Sequence, residues 1–174
     1  MKLKTRRSTS RAQAGGSSPI PLELDAFLPY RLSVVTNTIS TSLARRYAER
    51  FGITIPQWRV VAVLGGDPGL TAGEVAARTR MDKVGVSRAV SKLLADRRLV
   101  RRVDSEDRRR ATLRLSARGR RIYRQIVPLA RAYEDDLLAA LDPAERGALD
   151  QLIRHLDEAA RLLAGADPSP GGIL

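Results

Sequence analysis

Between Leu70 and Ala95 the chain begins two helices whose cap residues, Thr71 and Asp82, lie eleven positions apart. That spacing leaves few folds open. Thr71 and Glu74 form a Thr-x-x-Glu capping box, in which each side chain satisfies a backbone N–H that a first helical turn leaves unpaired. Leu70 and Val75 are placed as the accompanying hydrophobic staple. Asp82 is a second cap, with Met81 and Val86 repeating the staple. The first helix therefore ends near Thr79, and the second runs from Lys83 to about Ala95. Two short helices joined by a turn of a few residues make a helix-turn-helix.

The second helix is two-faced. Val86, Val90, Leu93 and Leu94 form an apolar stripe, while Lys83, Ser87, Arg88, Ser91 and Lys92 fall off it and face outward. Two β-compatible runs follow, Leu99–Val103 and Ala111–Ser116, around the charged stretch Asp104-Ser-Glu-Asp-Arg-Arg-Arg110. Together they predict a hairpin, which in this position is a wing. The predicted fold class is mainly α with a small β wing: a winged helix-turn-helix core between N- and C-terminal helices.

Those flanking helices are legible from periodicity. Leu24, Phe27, Leu28, Leu32, Val35, Ile39, Leu43, Tyr47 and Phe51 recur at steps of mostly three and four, predicting a long helix from about Leu22 to Phe51. A second helix follows Ile55–Pro56 and stops at the Gly- and Pro-rich run 65–69. Ser116 can cap a long helix with Ile122, Ile126, Leu129, Tyr133, Leu137 and Leu141 on its apolar face, and Pro128 is a potential kink. Asp142-Pro143-Ala-Glu145 starts the last helix, whose stripe includes Leu149, Leu152, Ile153, Leu156 and Leu163.

Charge is concentrated rather than spread. Residues 97–124 hold twelve Arg and three acids, and residues 1–19 hold five basic residues and no acid, within a net charge of +12. A localised basic patch is the electrostatic footprint of a nucleic-acid binder. Arg outnumbers Lys 27 to 4, a bias that an arginine-rich proteome would also produce. Other classes lose ground. There is no cysteine and His155 is the only histidine, which leaves no multi-histidine or thiolate metal site. No Ser–His–Asp order, glycine-rich phosphate loop or metal motif occurs, and Glu134-Asp135-Asp136 reads as a solvated helix face. No enzyme and no cofactor are expected. No apolar run approaches the roughly 18 residues of a membrane span, and no secretory signal is present, so a cytoplasmic location is expected.

In a helix-turn-helix the first half of the second helix meets base edges in the major groove. Here it presents Lys83, Ser87 and Arg88, with Gly85 keeping one position small. Arg and Lys suit guanine O6 and N7, and Ser suits either base type. Lys92 lies farther along, where phosphate is the expected partner. Arg108, Arg109 and Arg110 at the wing tip suit a narrow minor groove, whose negative potential attracts arginine.

The run from Leu70 to Gly119 resembles the winged core of the MarR-type bacterial transcription regulators. The resemblance rests on Asp82 opening the recognition helix, Ser87-Arg88 within it, Leu99-Val100 entering the wing, Asp104-x-x-Asp107-Arg-Arg109 at its tip and Leu115-Ser116-x-x-Gly119 at its exit. Pro56-Gln57-Trp58-Arg59 also resembles the family's second helix. The resemblance implies that Arg109 enters the minor groove with Asp107 orienting it. It further implies a homodimer built from the terminal helices, bound to double-stranded DNA at a palindromic site. The implied organisation is a disordered basic tail over 1–19, a dimerisation helix over 20–52, the winged domain over 53–118, dimerisation helices over 119–164 and a loose tail over 165–174. A repressor released by a small effector is the implied function. The resemblance puts the effector pocket between the dimer helices and the winged domain. Tyr30, Asn37, Trp58 and Arg59 are the candidate lining there, suited to an aromatic acid or its thioester. Each has an ordinary alternative: Trp58 as core, and Tyr30 and Arg59 as surface or interface groups. The competing functional class is a sequence-tolerant architectural DNA binder using the basic tail; a protein-interaction module is the third.

Overall fold

The computed structural model describes residues 21–103 and 111–166. The chain falls into two units that divide between Thr38 and Ile39, inside the first helix. In the first unit a turn closes on the Glu23 carbonyl, which accepts from Ala26 and Phe27 N–H, both at 3.1 Å. Helix α1, Leu28–Phe51, starts after that turn. The periodicity predicts a start near Leu22, and Pro29 explains the later one. Proline has no N–H to give a preceding turn and its ring clashes with that turn's backbone, so it fits only near a helix start. The unit's apolar side chains, among them Leu28, Leu32 and Val35, are exposed.

The second unit carries the core. Helix α2, Ile55–Gly66, is capped by Thr54, and Gln57 returns the bond, with its Oε1 3.0 Å from the Thr54 N–H. A two-residue strand β1, Leu70–Thr71, leads into α3, Ala72–Thr79, where the Thr71–Glu74 capping box forms as expected. Helix α4, Lys83–Ala95, is capped by Asp82. Strands β2, Leu99–Val103, and β3, Ala111–Leu115, make the wing. The sheet has three strands in the order β1-β3-β2, antiparallel throughout, with Leu70 opposite Leu113 and Leu99 opposite Leu115. The third strand, β1, goes beyond the expected hairpin, because two residues are too short to leave a periodic pattern. The fold is mainly helical with this small sheet, a winged helix-turn-helix.

Helix α5, Ala117–Leu138, contains Pro128, and α6 spans Pro143–Ala166. The α5 stripe was expected to reach Leu141, but the helix ends three residues earlier. The turn there closes with Leu141 N–H on the Leu138 carbonyl, ahead of the reciprocal Asp142–Glu145 cap that starts α6. The core lies where α2, α3, α4 and the sheet meet, around Val60, Val61, Leu64, Val75, Val86, Leu93 and Leu113, with Tyr47 and Ile126 contributed by α1 and α5. Among the described residues no helix is long and apolar enough to cross a membrane.

Candidate nucleic-acid interface

Helix α4 is held from its inner side. Val86, Ala89, Val90 and Leu93 are buried, and this fixes the rotation of the helix about its axis. Lys83, Ser87, Arg88, Ser91 and Lys92 are consequently exposed. At its start the Asp82 carboxylate accepts from Gly85 N–H at 2.7 Å. A Cβ on residue 85 would stand 2.9 Å from the other carboxylate oxygen. The small residue at 85 therefore makes room for the cap itself.

Lys83 and Arg88 form no ion pair with a described residue, whereas Lys92 pairs with Asp96 at 3.1 Å, one turn along. Lys83, Ser87 and Ser91 line one wall of a cleft of about 270 Å³, with Ala72 and Gly73 at the start of α3 and Arg101 of β2 on the others. The cleft runs from the outer face of α4 to the wing strands. Ser91 was read only as facing outward, and Arg101 was not singled out in the sequence. Arg101 stands beside Arg102 in the sequence with nothing local to separate them, and only the folded cleft brings Arg101 to the residues of α4. Asp107, Arg108, Arg109 and Arg110 lie outside the described residues.

The four candidate effector residues are divided between the two units. Tyr30 and Asn37 are exposed and belong to the first unit. Trp58 belongs to the second, half-buried between Tyr47, at 5.8 Å between ring centres, and Tyr123, at 6.3 Å with ring planes 28° apart. Burial pushes the Tyr47 hydroxyl up to about 12, against a smaller opposing pull from the positive charge of Arg59. Tyr47 is thus neutral near pH 7 and acts by packing. Arg59 is exposed. Two residues missed by sequence reasoning matter locally. Tyr123 completes the aromatic row, and Arg98 is buried and donates to the Phe51 and Gly52 carbonyls at 2.7 and 3.0 Å.

Residues 51–111 match the family model described as MarR family. The HTH-type transcriptional regulator BilQ of Clostridium symbiosum is 29% identical over 116 residues, 67% of this chain and 81% of that protein. The PcaV transcriptional regulator of Streptomyces coelicolor, solved in complex with its natural ligand, superposes with a TM-score of 0.70 at 26% identity. That match covers 81% of this chain and 99% of PcaV. A MarR/EmrR family regulator from Acinetobacter sp. ADP1 shares the fold, with a TM-score of 0.75 at 24% identity, over 81% of this chain and 99% of that one. The matched segment contains α2 through β2, the parts that form the candidate interface, and over it the chain is similar to the winged core of the MarR family of transcriptional regulators.

Proposed function

We propose that this chain is a homodimeric, sequence-specific repressor that leaves a palindromic operator when a small acid, or its thioester, binds. The observation that carries the DNA reading is the outward row Lys83, Ser87 and Arg88, none of them ion-paired with a described residue, with Lys83 and Ser87 bordering a cleft that leads to the wing. In this reading α4 enters the major groove, with Arg88 and Lys83 on base edges and Ser87 beside them. Lys92 exchanges Asp96 for a phosphate. Arg108, Arg109 and Arg110 follow the backbone into the minor groove, Arg109 entering it with Asp107 as its orienting partner. Homodimers of this kind read two half-sites about one helical turn apart. The exposed apolar residues of α1 and α6 supply the dimer surface. Effector release requires the ligand to favour a DNA-incompetent arrangement. PcaV, a ligand-bound regulator of the same fold, supports this part.

The test is fluorescence anisotropy on the chain's own upstream duplex at fixed salt, beside single-base variants and a random duplex. Arg88→Ala is expected to cost about 1–3 kcal/mol and to relax preference at one base position. Arg109→Ala is expected to weaken binding most where the flanks are A·T-rich. Equal affinity for the upstream and random duplexes would instead establish the architectural class. An Arg88→Ala loss of the same size on every sequence would refute base reading by that residue.

A further inference from the structure

One outward side chain of α4 is apolar. Val84, the second residue of the helix, is 58% exposed. Every other exposed residue from Lys83 to Lys92 is polar: Lys83, Ser87, Arg88, Ser91 and Lys92. Val86, Ala89, Val90 and Leu93 are buried and define the inner side. Successive residues stand about 100° apart around a helix axis, which puts Val84 diametrically opposite the centre of that buried set, with Arg88 one turn on. Lys83 and Ser87 are turned aside, toward the cleft they line. The Asp82 carboxylate accepts from Gly85 N–H at 2.7 Å and ties down the turn that holds Val84. A helical valine has one strongly preferred rotamer, so its two methyl groups are ordered in advance.

A lone hydrophobic side chain on a surface is ordinarily without function. Folding gives no reason for this one. Valine is a poorer helix former than alanine, because its branched side chain crowds the preceding turn. Exposed, it also forgoes the gain from burial. What sets Val84 apart is its place in the first turn of the second helix of a helix-turn-helix, where side chains meet base edges in the major groove. Lys83, Arg88 and Lys92 on the same helix suit a polyanion, and an apolar protein surface would have to desolvate all three. The apolar group that a base pair offers in the major groove is the C5-methyl of thymine.

We propose that Val84 is a specificity-determining residue that packs on the C5-methyl of a thymine, one in each half-site. This rests on the sequence-specific DNA reading above and adds an apolar contact to its hydrogen bonds. Residues four apart in a helix stand about 5–6 Å from each other and stacked base pairs about 3.4 Å, so the thymine lies within about two base pairs of the one that Arg88 reads.

The full-length protein first selects its preferred duplex from a pool of random sequences. Each thymine of that duplex is then replaced singly by deoxyuridine, which deletes the methyl group and leaves the base pair intact. Affinities are read by fluorescence anisotropy at fixed salt. One thymine per half-site is expected to be sensitive, with affinity falling about fourfold for one half-site and about 15-fold for both, the worth of a methyl group taken out of water. Val84→Ala is expected to bind the thymine and deoxyuridine duplexes equally, and Val84→Thr, which keeps one of the two methyl groups, to retain part of the preference. The melting temperature of Val84→Ala is expected to be no lower than the parent's, since alanine is the better helix former. A selected site indifferent to every replacement overturns the proposal alone and leaves base reading by Arg88 standing. Sensitivity that persists undiminished in Val84→Ala assigns the methyl effect to the shape of the duplex or to another side chain, and overturns the proposal too. If no sequence is enriched from the pool, the sequence-specific reading itself fails, and the proposal with it.

Discussion

Arg98 carries more structural consequence than any other basic residue of its segment. It is only 7% exposed. Its guanidinium donates to the Phe51 and Gly52 carbonyls, closing the C-terminal end of α1, and its Nε lies 3.9 Å from the Asp96 carboxylate without a hydrogen bond. Its own backbone receives Ser116 N–H and donates to the Leu93 carbonyl. One residue thus joins the ends of α1 and α4 to the starts of β2 and α5. In the sequence Arg98 is one of twelve arginines in a basic run, and nothing local separates it from the solvated ones. Removing a partner from buried carbonyls costs about 1–3 kcal/mol each, against which stands relief of a buried charge with an unpaired N–H. Arg98→Met is expected to lower stability by about 2 kcal/mol in urea unfolding at matched protein concentration. Arg98→Lys should recover part of that. A change below about 0.5 kcal/mol, the usual range for surface substitutions, would show that the carbonyls find water instead.

At the scale of elements, caps were the most legible feature. Thr71, Asp82 and Ser116 each accept from the N–H three residues on, as their spacing predicts. The Thr54–Gln57 box lies outside the expected caps, because Pro56 by itself accounts for a helix start there. Gly119 was visible as part of a motif, but its reason is tertiary. A Cβ there would stand 2.1 Å from the Arg98 carbonyl oxygen, a backbone atom that cannot turn aside. Replacing glycine by alanine inside an exposed helix stabilises by up to about 1 kcal/mol. Gly119→Ala is expected to do the reverse, with a loss of about 3 kcal/mol or more. Ser116→Ala, which removes only the cap, should lose about 1 kcal/mol. Thermal unfolding of both variants separates packing from propensity: a stabilised Gly119→Ala would refute the close approach of α5 to β2.

For the whole molecule the open question is what covers the terminal helices. Along α6, Leu152 and Ile153 are 58% and 56% exposed, and Leu156, Leu162 and Leu163 are exposed with them. A soluble protein rarely leaves so continuous an apolar face uncovered. The dimer reading predicts that Leu152→Glu/Ile153→Glu sediments as a monomer in analytical ultracentrifugation where the parent is a dimer. Operator affinity should fall by about 100-fold or more, because two half-site contacts no longer act together. A parent that is monomeric at micromolar concentration would refute that reading. The amino-acid sequence by itself determined what local physics controls: the capped helix pair, the two-faced α4, the wing strands, and the helical stripes at both ends. Tertiary structure alone decided which charges face solvent and which close a helix end, that Trp58 stacks on a tyrosine sixty-five positions away, and that β1 joins the sheet. Those outcomes depend on pairs of residues far apart in the chain. Caps and periodicity act within a few residues, so no local pattern could show them. The helix pair from Leu70 to Ala95 therefore stands as the sequence describes it, and the tertiary structure added the cleft beside it.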